Sequence, residues 1–225
     1  MKLLSVNLGR RTAVEYTDSS DGLTGIDKQP TDDAVLVTAP GVKGVGGSGL
    51  AGDEIGNLRH HGGHDQAVYV FAREDLDVWQ DLLGRPLANG GFGENLTTSG
   101  IDVSGARIGE RWRIGSGPLL EVSGSRIPCR TFQGHLNEKG WVKRFTQHGV
   151  PGAYLRVIEP GEIRAGDPVE IAHRPAHDVT VALHFRAVTT ERSLLPRMLA
   201  AGDALHPETV ANAREYVEKY GAPDA

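Results

Sequence analysis

Glycine is the residue that most constrains how this chain can fold, because its thirty glycines in 225 residues are unevenly distributed. Many of them lie in residues 41–52 and 84–117, between short β-rich runs. Glycine tolerates the tight turns and bends that other residues disfavour. Short strands with such connections favour a strongly bent antiparallel barrel or sandwich over a doubly wound parallel sheet. Residues 42–49 have the composition of a mobile loop.

The periodicity of apolar residues predicts a mainly β chain with a few short helices. Strands are predicted at residues 3–7, 34–38, 67–71, 94–97, 111–114, 119–123, 153–158 and 168–172. A helix is predicted at residues 73–83, where the apolar side chains form one stripe and acidic residues come early. A shorter helix is predicted at residues 141–147.

The pattern changes after residue 172. Residues 173–177 read as a linker, residues 179–183 as a strand, and residues 194–200 and 207–220 as helices. We expect residues 1–172 to form a β-barrel domain and residues 173–225 a small helical domain. About fifty residues are too few for an independent core. We therefore expect this tail to pack on the barrel or on a second subunit, which makes a homodimer one expected assembly.

Composition excludes several classes of protein. A net charge of −5 offers no general attraction to nucleic acid, whose binding depends on neutralising phosphates. No apolar run approaches the roughly 20 residues that cross a bilayer. The first residues read as a strand and not as a secretion signal, and one unpaired cysteine fits a reducing compartment. The expected location is the cytoplasm, with no nucleic-acid or membrane partner.

Cys129 is the only cysteine in the chain, so it cannot form an internal disulfide. It follows Pro128 and lies between Arg126 and Arg130. Neighbouring positive charge favours the thiolate, which attacks electrophiles and binds soft metals. A small buried hydrophobe is an equally ordinary use of one cysteine. A nucleophile with a histidine base is a third reading, and its candidate bases are His60, His61, His64 and His135.

Residues 53–65 form a second polar cluster, which includes Arg-His-His-Gly-Gly-His-Asp at residues 59–65. Three histidines invite a zinc interpretation, but Gly62 and Gly63 interrupt any helix that would align His60 with His64. Successive glycines beside Arg59 better suit a nest of backbone N–H groups around an anion such as phosphate. A polar turn in water is the simplest alternative.

Two further sites have an ambiguous composition. In residues 91–96, Gly-Phe-Gly-Glu-Asn-Leu, Glu94 and Asn95 are suited either to binding a ligand or to satisfying buried backbone groups. Lys28 is an isolated cation followed by Gln29 and Pro30, ahead of a predicted strand.

These motifs, taken in order, resemble the MOSC family (molybdenum cofactor sulfurase C-terminal domains), and in particular its YiiM-like subgroup. The segments that carry the resemblance are residues 49–53, 59–63, 67–69, 91–96, 108–110, 121–129, 152–157 and 166–169. They span most of residues 25–172, and the tail from about residue 177 is similar to the short helical domain of this subgroup. The resemblance implies a curved antiparallel MOSC β-barrel that binds a molybdenum cofactor (molybdopterin).

The resemblance also implies a set of site residues. Cys129 is expected to be the catalytic residue and the molybdenum ligand. The expected cofactor-binding residues are Lys28, Arg59, His60, His61, Gly62, Gly63, Glu94, Asn95, Ser125, Arg126 and Arg130. A soft thiolate suits a thiophilic metal, and the cations suit the phosphate of the pterin.

Three functions follow from the resemblance. The first is a reductase of N-hydroxylated compounds such as N-hydroxylated purines. One cysteine cannot hold an iron–sulfur cluster, so this reductase would take electrons from an external electron-donor reductase. The second is a sulfur carrier with a persulfide at Cys129. The third is a module that binds or transfers the cofactor without catalysis.

Overall fold

The computed structural model describes residues 1–221, which contain twelve strands and six α-helices. The strands are β1 Lys2–Gly9, β2 Thr12–Ala13, β3 Leu23–Thr24, β4 Lys28–Thr31, β5 Val35–Val37, β6 Val68–Ala72, β7 Leu96–Ser99, β8 Arg111–Ile114, β9 Leu119–Ser125, β10 Ala153–Glu159, β11 Gly161–Ile163 and β12 Val169–His173. The helices are α1 Arg73–Leu83, α2 Arg130–Leu136, α3 Trp141–His148, α4 Val181–Thr189, α5 Leu195–Met198 and α6 Pro207–Tyr220.

Eight strands form one large, curved sheet in the order β12-β8-β9-β10-β6-β7-β1-β4. Strands β6 and β7 pair in parallel, and the other neighbours pair antiparallel. Backbone hydrogen bonds join the start of β1 to the turn before β12, from Leu3 N to Asp167 O (2.9 Å) and from Val169 N to Met1 O (3.0 Å). The predicted mainly β, mostly antiparallel architecture is confirmed as a curved sheet. Within residues 1–221 the sheet is not closed into a barrel, because only this short bridge, and no strand pairing, joins β12 to β1.

Two hydrophobic clusters organise the interior. The larger lies on the sheet and includes side chains of α4, α5 and α6, such as Val181, Met198 and Ala213. The smaller is largely aromatic and connects α1, α2 and α3 to the sheet; its buried members are Tyr69, Phe71, Leu76, Trp79, Leu87, Phe92, Phe132, Leu136, Trp141, Phe145 and Phe185. Cys129 packs against this aromatic cluster, which therefore fixes the segment that carries the thiol. The domain boundary after residue 172 stays a prediction.

The predicted helices at residues 73–83 and 207–220 are confirmed, whereas the predicted strand at residues 179–183 is wrong. Thr180 instead caps α4, and its Oγ1 accepts a hydrogen bond from Leu183 N (3.1 Å). The packing of α4 against β9 and this cap outweigh the strand preference of the β-branched residues 179–181. The predicted helix at residues 194–200 is present only in part, as α5 between two 3₁₀ turns. No helix within residues 1–221 is long and apolar enough to span a membrane.

Candidate functional site

Two cavities meet at Cys129. The first cavity contains about 680 Å³ of space, part of it open to solvent, and lies beside Lys28, Asp53, Asn95 and Arg126. The second contains about 1400 Å³, also partly solvent, and lies between the end of β9 and helices α4 and α6. Five residues line both cavities, namely Asp18, His61, Gln66, Cys129 and Tyr154. The thiol therefore lies where the two spaces join.

The residues before and after Cys129 in the sequence fix its position. It lies after the buried Pro128 and is the N-cap residue of α2, with extended backbone angles (φ −130°, ψ 174°). Its carbonyl accepts the first helical hydrogen bond, from Gln133 N (3.1 Å). The side chain is half-buried, so the prediction of a sealed hydrophobic cysteine does not describe this thiol.

A buried ion pair forms one wall of the first cavity. Lys28 Nζ is hydrogen-bonded to Asp53 Oδ1, and the two side chains are 7% and 1% exposed. Asp53 also accepts hydrogen bonds from Gly9 N (2.7 Å) and Asn95 Nδ2 (2.8 Å). Burial lowers the pKa of Lys28, and the Asp53 carboxylate opposes that shift. Asn95 and Asp53 together hold the ammonium group at the cavity wall.

Arg126 is a second buried cation on the first cavity, and it is 6% exposed. Its Nη1 donates to Phe92 O, and its guanidinium carbon lies 4.0 Å from the ring centre of Phe132 and 4.8 Å from that of Tyr69. Within residues 1–221, no carboxylate forms a salt bridge with it. A buried charge without a partner is costly, so this guanidinium is suited to an anionic ligand.

Glu94 is buried away from the cavities, unlike its neighbour Asn95, which lines the first cavity. Its buried carboxylate accepts hydrogen bonds from Gly90 N (2.6 Å), Phe92 N (3.0 Å) and Thr97 Oγ1 (2.8 Å), and it lines neither cavity. Burial raises the pKa of this carboxyl group. Glu94 thus fixes the turn that presents the Phe92 carbonyl to Arg126.

The histidine segment does not form the anion nest that the sequence predicts. The N–H groups of His60 and His61 donate to Asn57 O, and that of Gly63 donates to Gly47 O (3.1 Å). These donors are therefore used within the protein and do not converge on a ligand. Residues 42–49, predicted as a mobile loop, pack here, since a Cβ on Gly63 would lie 2.7 Å from the Lys43 backbone.

The side chains of His60 and His61 differ in their exposure and in the cavities that they line. His60 is exposed and lines the second cavity, whereas His61 lines both. Burial, assisted by Arg126, lowers the pKa of His61 to about 4, so its imidazole is neutral at pH 7. Among residues 1–221, no three His, Cys, Asp or Glu side chains form a group that could hold a metal ion.

The remaining predicted site residues differ in which cavity they line. Gly62 lines the first cavity and Ser125 the second, where Ser125 Oγ lies 2.9 Å from His184 Nδ1. Four predicted residues line neither cavity, namely Arg59, Gly63, Arg130 and the Glu94 described above. Sequence reasoning gave no role to Asp53, although this residue ends the motif at residues 49–53. It also gave no role to Tyr69 and Tyr154, although they lie in the motifs at residues 67–69 and 152–157, and it missed His184, which lies in none of the motifs.

Comparison with known proteins identifies the family. The family model described as MOSC domain matches residues 57–170, about half of the chain. The uncharacterized protein YflK of Bacillus subtilis is 34% identical over 179 residues, which are 80% of this chain and 76% of YflK. A protein of Gibberella moniliformis named Reductase is 29% identical over 184 residues, but the match covers only 30% of it.

A solved structure agrees with this assignment. YiiM of Geobacillus stearothermophilus superposes with a TM-score of 0.74 at 25% identity, over 95% of this chain and 97% of that chain. The fold is therefore shared over nearly the full length, including the helical tail. With the family model matching half of the sequence and YflK matching over three quarters of its own length, this chain belongs to the MOSC domain family.

Proposed function

We propose that this protein binds a molybdenum cofactor in the first cavity and reduces N-hydroxylated compounds. One observation carries the proposal. The first cavity brings the only thiol of the chain together with a buried guanidinium that has no carboxylate partner among residues 1–221. Membership of the MOSC family supports a molybdenum cofactor as the ligand.

The side chains of the first cavity fit such a ligand chemically. The Cys129 thiolate is the soft donor that molybdenum prefers. Arg126 and Lys28 are the cations available to the phosphate of the pterin, and each retains donors beyond the hydrogen bonds described above. Asn95 contributes indirectly, because it positions Asp53 and so Lys28. When bound, the cofactor supplies the two-electron redox chemistry, and the protein supplies position and electrostatics.

The proposed reaction balances as R–NH–OH plus two electrons and two protons, giving R–NH₂ and water. The N–O bond is broken and the nitrogen compound is reduced. The electrons come from an external electron-donor reductase, because a chain with one cysteine cannot bind an iron–sulfur cluster of its own. The name of the Gibberella relative supports the reaction class only, since most of that protein lies outside the match.

The test begins with protein made in a host that synthesises the cofactor. Molybdenum and pterin content are measured first, and then reduction of an N-hydroxylated purine with reduced viologen as electron donor. We expect Cys129→Ala to lose molybdenum and activity while it keeps the thermal unfolding midpoint of the wild type. Ser193→Ala, at an exposed position, is the matched control. Wild-type turnover in Cys129→Ala would refute the ligand role.

The exposure of Cys129 supports a second candidate function. A half-buried thiol that opens into two cavities is also accessible to a sulfur donor, as a persulfide carrier requires. Incubation with a cysteine desulfurase followed by intact-mass measurement separates the two functions. A stable added sulfur atom on the wild type, absent from Cys129→Ala, favours the carrier. Stoichiometric molybdenum without turnover instead favours a module that stores or transfers the cofactor.

A further inference from the structure

We propose that the second cavity is the substrate site of this protein and that it takes a neutral, planar N-hydroxylated heterocycle. This inference rests on the proposed function, since it assigns the first cavity to the cofactor. Cys129 lines both cavities, so a substrate in the second cavity meets the cofactor site at the sulfur.

Electrostatics distinguishes the two cavities. The first has two buried cations, Lys28 and Arg126, of which only Lys28 has a carboxylate partner within residues 1–221. The inner wall of the second is uncharged around the buried His184, which lies between Ser125 Oγ (2.9 Å) and Thr209 Oγ1 (3.3 Å). Burial, together with His206, lowers the pKa of His184 to about 4. An anionic group is therefore favoured in the first cavity and a neutral one in the second.

Other charged groups of the second cavity are paired or lie at its mouth. Asp65 accepts a hydrogen bond from Arg156 Nε (2.6 Å) and lies 3.4 Å from His206 Nε2. Asp18, Lys43 and Glu208 are exposed. None of these residues places an uncompensated charge in the interior, where desolvating one would be costly.

The wall of the second cavity combines apolar and hydrogen-bonding groups. Ile127, Pro128 and Val188 contribute apolar surface, while Gln66 and Asn212 contribute amides. Gln66 lines both cavities, and its Oε1 is buried and has no hydrogen-bond donor within residues 1–221. Buried acceptors are almost always paired, so a ligand N–H or O–H is a fitting partner. This mixture of apolar surface and a few polar groups is typical of sites for small organic ligands.

The proposal gives the C-terminal helices a specific role. Asn212 of α6 is half-buried and lines the second cavity but not the first. A bulky side chain at this position would narrow the substrate site without reaching the cofactor cavity. The adjacent residue, Ala211, is exposed and lines neither cavity, so it provides a matched control on the same helix.

The experiment compares Asn212→Trp with Ala211→Trp in cofactor-loaded protein. Kinetic constants are measured for N-hydroxylated adenine and for hydroxylamine, and the binding of adenine, the amine product, is measured by calorimetry. We expect Asn212→Trp to raise KM for the purine and Kd for adenine at least tenfold, to leave hydroxylamine within twofold, and to keep its molybdenum. Ala211→Trp should match the wild type throughout. If Asn212→Trp does not fold, Asn212→Ala decides, with an expected rise in KM of roughly 3- to 10-fold for loss of one hydrogen bond.

The outcomes separate this inference from the proposed function. A loaded, active Asn212→Trp with wild-type KM and Kd overturns the substrate site and leaves the cofactor assignment intact. Loss of molybdenum in Asn212→Trp but not in Ala211→Trp shows that the second cavity holds the cofactor, which also overturns the inference. A wild type that never acquires molybdenum refutes the proposed function, and the inference fails with it.

Discussion

The buried Lys28–Asp53 pair makes a strong prediction about stability. Lys28→Met removes the ammonium and leaves the Asp53 carboxylate, 1% exposed, with only the Gly9 and Asn95 N–H groups described above. Breaking a buried ion pair by removing one partner costs about 3–5 kcal/mol. Total stabilities of domains are about 5–15 kcal/mol, so this single change should remove about a fifth or more of the total.

Urea denaturation of cofactor-free protein, followed by circular dichroism, measures this cost. The control Lys139→Met, at an exposed position, should stay within about 0.5 kcal/mol of the wild type. The double variant Lys28→Met/Asp53→Asn should recover part of the loss, because it buries no unpaired charge and keeps an acceptor for Gly9 N, although it loses the acceptor for Asn95 Nδ2. A cost below about 1 kcal/mol for Lys28→Met alone would show that water reaches the pair, which is the value expected for an exposed ion pair. The description of this ion pair as buried would then be wrong.

Three further predictions test other parts of the site and fold. Arg126→Met should lose bound molybdenum and pterin. It should change the stability of the cofactor-free protein by less than about 2 kcal/mol, because removal of an unpaired buried charge offsets the lost contacts with the Phe92 carbonyl and the aromatic rings. Metal analysis and urea titration check these two results, and a loss of about 3–5 kcal/mol, as for a broken buried ion pair, would contradict the second. The pKa of His184 is about 4 in the folded protein against an ordinary 6.5, so the unfolded chain binds more protons between these values and stability falls as pH falls through that window. His184→Asn should reduce this slope by up to about 1.4 kcal/mol per pH unit in urea titrations from pH 4 to 7, and an unchanged slope would exclude a neutral His184. Thr180→Ala should cost about 1 kcal/mol by removing the cap of α4, whereas Thr180→Ser should not, and equal losses in both would argue against the cap.

Local patterns were sufficient where the cause of an element is local. Helix α1 has acidic residues in its first turn and ends at Gly84, whose left-handed conformation (φ 65°) suits glycine. Helix α6 has Pro207 at its start and Gly221 at its end. Both were predicted with their observed bounds because caps and apolar periodicity agree.

Elements that depend on distant contacts were not predictable in this way. Helix α2 contains Gly134, which lowers helix propensity, but a Cβ there would lie 2.3 Å from Cβ of Tyr16. The glycine is therefore required by a residue more than a hundred positions away. The same reason explains the missed role of Asp53, whose pairing with Lys28 exists only in the folded chain. The predicted anion nest at residues 59–65 is wrong for the same reason, because the N–H of Gly63 donates to the distant Gly47 carbonyl.

A single short segment accounts for the different character of the two cavities. Strand β9 ends at Ser125, and successive side chains of an extended chain lie on opposite faces. Ser125 therefore lines the second cavity, where it contacts neutral His184, while Arg126 lines the first. Pro128 and the start of α2 then bring Cys129 to the junction. One stretch of backbone supports the side chains of Ser125, Arg126 and Cys129. Inserting one residue after Ser125 would turn Arg126 towards the second cavity and Ile127 towards the first. The difference in charge between the two cavities and the position of the Cys129 sulfur therefore depend on the same backbone register.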